Sequence, residues 1–400
     1  MRTLLKSLSH DVLFWTLLLV LAGFSVMRPA AISGYPALVD WPTIATLTGL
    51  LILTKGVELS GFLNRLGSTL MARMRSQRAL ALSLVAATAA LATILTNDVA
   101  LFVIVPLTLA LRSAAAGNGE APGGLPITRL IIVEALAANA GSALTPIGNP
   151  QNLFLWQQSQ VSFAAFTLAM LPLALLLLIP LLLLTAAVFS GHGAMAQADA
   201  ESANTSQPQL QPQPASVRSD HSVQSTHAVD CKLLLTCLLL YPPFLILTDL
   251  HHAAEALAVL LLIFLAVRRT VLARIDWGLL LVFILMFIDL RLAGATPPVR
   301  SLFAGAGLGN AMHLYLAGIA ASQVISNVPA TILLVQYSHD WRSLAYGVNV
   351  GGAGLAIGSL ANIIALRMAG EKRAWLVFHA YSLPFLAVTA ALLAAWLAWH

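Results

Sequence analysis

From Phe163 to Ser190 the chain runs for 28 residues, and from Trp375 to Trp399 for 25, without one Asp, Glu, Lys or Arg. A helix of about 20 apolar residues spans the hydrocarbon core of a bilayer. Both runs exceed that length. Nine further apolar runs accompany them: Val12–Val26, Pro42–Ser60, Ala79–Leu111, Ile127–Trp156, Leu233–Leu247, Ala253–Val267, Trp277–Leu292, Ala311–Gln336 and Leu344–Met368. Only 9% of the 400 residues are charged, against about a quarter in soluble domains. That is too few to clothe a water-soluble surface. The runs are continuous rather than alternating, so the spans are helices and not the strands of a barrel. The fold class is an all-α polytopic membrane protein.

Charge placement predicts orientation. If Ala79–Leu111 and Ala311–Gln336 each enter and leave on one side, and every other run crosses once, 17 basic residues fall on one face. Only Arg28, Arg291, Arg300 and Arg342 fall on the other. Basic loops stay inside, so the expectation is a bacterial inner membrane protein with a cytoplasmic N-terminus and a periplasmic C-terminus. The arms of the first hairpin, about 17 and 13 residues, would reach about 25 and 20 Å as helices, too short to cross. Arg2 and Lys6 ahead of Val12–Val26 resemble a signal peptide, but no small-x-small cleavage site follows, so the run reads as an uncleaved first helix.

The net charge of +5 comes from these loops and forms no basic face interleaved with aromatics, so nucleic acid is not an expected partner. Membrane lipid is. Cys231 and Cys237, six apart, fit neither a C-x-x-C metal pair nor a disulfide framework. His192, His221 and His227 are too scattered for a ligand set. No metal and no cofactor is expected. The chain also lacks H-E-x-x-H, G-x-S-x-G and Walker motifs, which argues against an enzyme.

A segment rich in Gln, Ser and Pro (SQPQLQPQPAS) interrupts the apolar pattern and reads as a flexible cytoplasmic linker. The predicted organisation is a first transmembrane repeat over 1–190, the linker over 191–230, and a second repeat over 231–400 with one extra linking helix. The halves match each other. Asp40-Trp41 answers Asp276-Trp277 at an offset of 236, and Lys55 falls on Arg291. TNDVA from Thr96 answers SNVPA from Ser326, at 230. NAGSALTPIGNPQN (Asn139 to Asn152) answers NVGGAGLAIGSLAN (Asn349 to Asn362), at 210, with Asn139/Asn349, Gly141/Gly351, Gly148/Gly358 and Asn152/Asn362 among the agreements. Because Asp40 is placed outside and Asp276 inside, the repeats are inverted. Each carries a re-entrant helical hairpin and a broken helix.

Pro150 lacks an amide hydrogen and Gly148 permits non-helical backbone, so the run through Gly148, Asn149, Pro150 and Asn152 should break into two half-helices. Gly358, Ser359 and Asn362 mark the second break. Unwound backbone at membrane depth must be buried in protein or line a polar cavity. Thr96, Asn97, Ser326 and Asn327 put hydroxyls and amides at the hairpin tips, where the breaks should meet them in one substrate and ion site. Carboxylates inside apolar runs are costly unless paired or protonated. Asp98 follows the tip directly and is a candidate for coupling. Glu134 precedes Asn139 by five residues and either relays protons or neutralises Arg129. Glu58 should pair with Lys55. Asp289 and Arg291 read as outer-face anchors, and His313, His339 and His379 as interfacial residues.

These motifs resemble the ion transporter superfamily, which includes divalent anion/sodium symporters, citrate transporters and arsenite permeases. Its members have two inverted repeats, with hairpins tipped Ser-Asn-Thr and breaks carrying a Gly-Thr-Pro-Pro-Asn-like turn. Here the tips read Thr96-Asn97-Asp98 and Ser326-Asn327-Val328, and the turns Gly148-Asn149-Pro150-Gln151-Asn152 and Gly358-Ser359-Leu360-Ala361-Asn362. The resemblance covers nearly all of Asp40 to Trp399 outside the linker. It is closest to the arsenite-permease-like branch and an uncharacterised bacterial inner-membrane anion permease group. It implies a secondary transporter of a small inorganic or organic anion, a carboxylate or an arsenite-like oxyanion, with H+ or Na+ as coupling ion. It also leaves room for a homodimer. The tips lack the third-position Thr of sodium-coupled members, and Asp98 brings a negative charge where those have a hydroxyl. Proton coupling, or a neutral or monovalent substrate, fits that better. A Na+/H+ antiporter is the alternative within the class. A channel fits less well, because two opposed hairpins leave no continuous polar lining.

Overall fold

The computed structural model describes residues 12–71, 76–117, 126–189 and 229–399. The linker predicted over 191–230 lies outside them except for its last two residues. Every regular element among the described residues is helical. The first half contains α1 (Val12–Met27), α2 (Tyr35–Leu38), α3 (Trp41–Leu59), α4 (Phe62–Met71), α5 (Gln77–Ile94), α6 (Asn97–Gly117), α7 (Ile127–Ser142), α8 (Pro150–Ser159) and α9 (Phe163–Val188). After the linker come α10 (Cys231–Asp249), α11 (Ala253–Val267), α12 (Arg269–Arg274), α13 (Trp277–Gly294), α14 (Pro297–Ala304), α15 (Ala311–Ile325), α16 (Asn327–Leu334), α17 (Trp341–Gly351), α18 (Leu360–Ala369) and α19 (Ala374–Trp399). Helices α5, α9, α10, α13 and α19 are each long and apolar enough to cross a membrane. A sixth span results if α3 is joined to the bent segment Pro29–Leu38, 54° away. The chain is an all-α, multi-pass membrane protein.

The halves are built by the same local rules. Asp40 caps α3 by accepting from the Thr43 amide, and Asp276 caps α13 by accepting from that of Leu279, both at 3.0 Å. Such a cap satisfies one of the amides that a helix start leaves free. The Trp41 indole donates to the Pro36 carbonyl (2.9 Å), and the Trp277 indole to that of Leu272 (3.0 Å). The correspondence at offset 236 therefore begins before the Asp-Trp pair. It also includes α4 and α14, short helices that the apolar runs did not reveal.

Packing crosses between the halves. Helix α1 lies against α13, and α11 against α3. Arg291 Nη2 stands 4.0 Å from Asp40 Oδ2, so the end of α13 sits beside the start of α3, as expected of helices that run in opposite directions. Arg291 also lies over the Phe287 ring, 5.9 Å from its centroid. The linking helix α10 packs on α3, and the Phe244 ring fills the gap left by Gly49.

Both predicted hairpins form, but the first has a longer arm than expected. The difference lies in the second arm: α5, at 18 residues, is close to the expected length and is a candidate span by length and composition, whereas α6 runs for 21. Short arms are thus not what makes it turn. The chain reverses at Leu95 (φ −96°, ψ −101°), where α5 ends, and α6 starts two residues later. The second hairpin is short, with arms of 15 and 8 residues. Each hairpin packs along the first arm of its own broken helix, α5 on α7 and α15 on α17.

The α5–α7 contact is close because Gly141 lacks a side chain. A Cβ there would run into the backbone carbonyl of Ala89, which cannot swing aside. Gly23 on α1 has open space around it. Gly141→Ala should therefore destabilise the chain by about 1–3 kcal/mol, the usual range for overpacking, while Gly23→Ala should not. Thermal unfolding of the two variants in detergent checks this.

Candidate functional site

The first break follows α7, which ends at Ser142, and closes at Asn149. Asn149 caps α8 by accepting from the Asn152 amide at 2.9 Å. Pro150 occupies the first turn of α8, where its missing amide hydrogen is no loss. The second break follows α17 and contains a 3-10 turn, Ala356–Gly358, before α18. Both short arms end in left-handed backbone, at Gln160 (φ 57°) and Gly370 (φ 69°).

One asparagine in each half staples its own break. Asn152 Nδ2 donates to the carbonyls of Ala143 (3.1 Å) and Thr145 (3.2 Å), and Asn362 Nδ2 to those of Gly352 (2.8 Å) and Leu355 (3.4 Å). Their oxygens then cross to the other half. Asn139 Nδ2 donates to Asn362 Oδ1 at 2.8 Å, and Asn349 Nδ2 to Asn152 Oδ1 at 2.7 Å. Two more bonds follow the same pseudo-symmetry: Asn149 Nδ2 donates to Asn349 Oδ1 (3.0 Å), and the Ser359 hydroxyl to Asn139 Oδ1 (2.9 Å). All six side chains are buried. Asn139 and Asn349 are thus full members of this centre. The repeat had paired them, but neither had been placed in the predicted site.

Each hairpin tip meets the break of its own half. The Asn97 amide donates to the Gly148 carbonyl at 3.0 Å, and the Ser326 hydroxyl to that of Gly358 at 3.4 Å. One turn earlier, Thr93 Oγ1 donates to the Gly141 carbonyl (2.9 Å) and Gln323 Nε2 to that of Gly351 (2.8 Å). Thr96 Oγ1 and Asn97 Oδ1 accept from the Val99 and Asp98 amides and shape the first tip. Ser326 has φ 73° and ψ 158°, a backbone region costly for any residue but glycine. Asn327 is buried with its amide against Gly352. The order through the centre is tip, break, break, tip.

The carboxylates separate by environment. Asp98 is half-buried, and its Oδ1 has no hydrogen-bond partner. Glu134 is wholly buried: Oε1 accepts from Thr108 Oγ1 at 2.6 Å, and Oε2 has no partner. Arg129 is exposed and forms no ion pair with it; its hydrogen-bond donor is instead the neutral Thr108 hydroxyl on α6. Lys55 and Glu58 pair at 2.6 Å as predicted. Asp289 departs from expectation. It is 2% exposed, and neither oxygen has a partner, so it is no surface anchor. Spacing alone hid this, because the inward face of α13 is set by helices far off in sequence. Arg291 does bridge elements, through Asp40. Among the described residues no group of three or more His, Cys, Asp or Glu side chains is placed to hold a metal.

An all-α multi-pass chain whose amides and hydroxyls converge on two facing helix breaks has the make-up of a membrane transporter. The comparison with known families agrees: the citrate transporter family model matches residues 8–339, and the chain belongs to that family. Inner membrane protein YbiR of Escherichia coli is 43% identical over 387 residues, covering 96% of this chain and 94% of that protein. An uncharacterized transporter of Methanocaldococcus jannaschii is 30% identical over 83% of this chain and 82% of its own length. The silicon efflux transporter of Oryza sativa is 33% identical over 136 residues, 34% of this chain and 26% of that protein.

A double-mutant cycle on Asn139→Ala and Asn362→Ala should give a coupling of about 1 kcal/mol, the range of one buried hydrogen bond. The pair Asn139→Ala and Lys55→Ala, with no shared partner, should be additive. Unfolding in mixed detergent measures both.

Proposed function

We propose that this protein is a secondary active transporter of a small anion or oxyanion, coupled to protons, or to sodium, and working by alternating access. The observation that carries the reading is the reciprocal exchange of asparagine bonds across the two breaks. It makes one centre out of both halves, the arrangement in which rocking one part against the other exposes a site to either side. At that centre α8 and α18 begin and α7 and α17 end, so amide-rich and carbonyl-rich helix ends face each other and suit an anion and a cation together. Thr96, Asn97, Asp98, Ser326 and Asn327 at the tips would touch the solute. Gly148, Asn149, Pro150, Asn152, Gly358, Ser359 and Asn362 would form the bed against which it lies. The family's name and the rice relative named for silicon efflux both support a small solute. The E. coli relative's name supports the inner membrane, with the N-terminus inside by the placement of basic residues.

Asp98 and Glu134 would couple transport to protons. Each keeps an oxygen without a protein partner, and a charge left so in the membrane interior is costly. A proton on Asp98 would also remove its repulsion of an anion at the tip. Everted vesicles carrying a pH-sensitive dye test this. Adding a transported anion, with citrate and inorganic oxyanions as first candidates, should evoke proton movement, and Asp98→Asn should reduce it about tenfold or more (about 1.4 kcal/mol). The same variant should insert normally. A sodium-evoked pH change with no anion present would overturn the anion reading in favour of a Na+/H+ antiporter.

A further inference from the structure

We infer that His379 is a proton-binding latch on the second break: its neutral ring holds the turn before α18, and protonation lets that turn go. His379 lies on α19 and is half-buried. Its Nε2 is 3.1 Å from the Ala356 amide nitrogen, and its Nδ1 is 2.7 Å from the Trp375 carbonyl oxygen. A backbone amide only donates. Nε2 must therefore be the bare acceptor, and Nδ1 must carry the hydrogen that it donates to Trp375. Trp375 and Phe378 hold the ring edge-on, at 5.1 and 5.4 Å between centroids.

The repeat shows why the second break needs an acceptor here. The counterpart of Ala356 at offset 210 is Pro146, which has no amide hydrogen, and the counterpart of His379 is Ala169. Where the first half removes the donor, the second keeps it and supplies an imidazole. The neighbouring Leu355 amide is held by Gln323 Oε1 at 2.7 Å, an acceptor that cannot titrate. So an amide side chain would serve as a plain cap, and one stands next door. Two residues past Ala356, the Gly358 carbonyl accepts from Ser326, the strained residue of the second tip. Release of Ala356 would thus reach the tip through one short turn.

A proton from water adds to Nε2 and makes an imidazolium with two donors and no acceptor. It then faces the Ala356 amide donor to donor, and that bond is lost. Imidazole is the side chain that changes charge between about pH 5 and 8. The elements packed against α19 bring Arg129 and Glu134 on α7, His313 and Tyr315 on α15, Arg342 and Tyr346 on α17, and Arg367 on α18; α9 brings none. Glu371, Lys372 and Arg373 precede α19, and Tyr381 lies on it. Both nitrogens of His379 are nevertheless taken by backbone groups, so the switch is local to this turn.

Two measurements test the latch without any transported solute, so their outcome is separate from that of the transport reading. Ile357, in the turn, is 47% exposed, while Cys237 is buried and Cys231 exposed. In a Cys231→Ser background, Ile357→Cys should react with a maleimide in membrane vesicles several-fold faster at about pH 6 than at pH 7.5, after division by the rate for the same thiol with His379→Gln. The glutamine keeps an acceptor that does not titrate. In the unmodified chain, hydrogen exchange of the peptide containing Ala356, corrected for its intrinsic pH dependence, should rise about tenfold over the same interval. A labelling profile unchanged by His379→Gln, or exchange protection constant with pH, would overturn the proposal.

Discussion

A peptide group left without a partner inside a membrane costs several kcal/mol. Two helices here stop midway and leave such groups behind, and much of the centre answers that cost. Asparagine suits the task because one neutral side chain both donates and accepts. Asn152 and Asn362 each spend their amide on the carbonyls of their own break and offer their oxygen to the opposite half. A hydroxyl has too few donors for this, and a carboxylate would bring a charge that itself needs neutralising. The hairpins complete the arrangement by donating from their tips to further carbonyls of the same breaks, those of Gly148 and Gly358.

Much of this was legible in the sequence, and the parts that were not share a cause. Gly148 to Asn152 and Gly358 to Asn362 announced breaks because glycine, proline and asparagine are poor tenants of an apolar helix. Thr96-Asn97 and Ser326-Asn327 announced tips for a similar reason. These are local signals, and the structure brings the groups together. Which asparagine faces which is set by how the two breaks cross, so Asn139 and Asn349 looked like mere repeat markers. Asp289 read as an anchor because it lies near Arg291 in sequence, yet residues two apart on a helix point opposite ways. Helices α4 and α14 escaped notice because they are short and only partly apolar. The length of α6 was underestimated because Arg112 and Ser113 end the apolar run at Leu111 while the helix continues to Gly117.

The twofold pattern is broken in the places where charge sits. Asp98 follows the first tip, whereas Val328 follows the second. Glu134 and Asp289 have no acidic counterparts at their offsets. Strain is also one-sided, since among the tip residues only Ser326 is forced to a positive φ. A device with two equivalent halves would respond alike from either face. These differences make the two halves chemically unequal around one shared centre.

The crossed packing of α1 on α13 and of α11 on α3 bears on how the chain is made. Residues up to Val188 emerge from the ribosome before α13 exists. Until it arrives, the inner side of α1 has lipid for a neighbour, and the first break has no opposite amides to meet. Insertion of the early helices must therefore precede completion of the interior, and the final state depends on the last third of the chain closing over what waits for it. The halves resemble each other, but each break takes part of its hydrogen bonding from the opposite half.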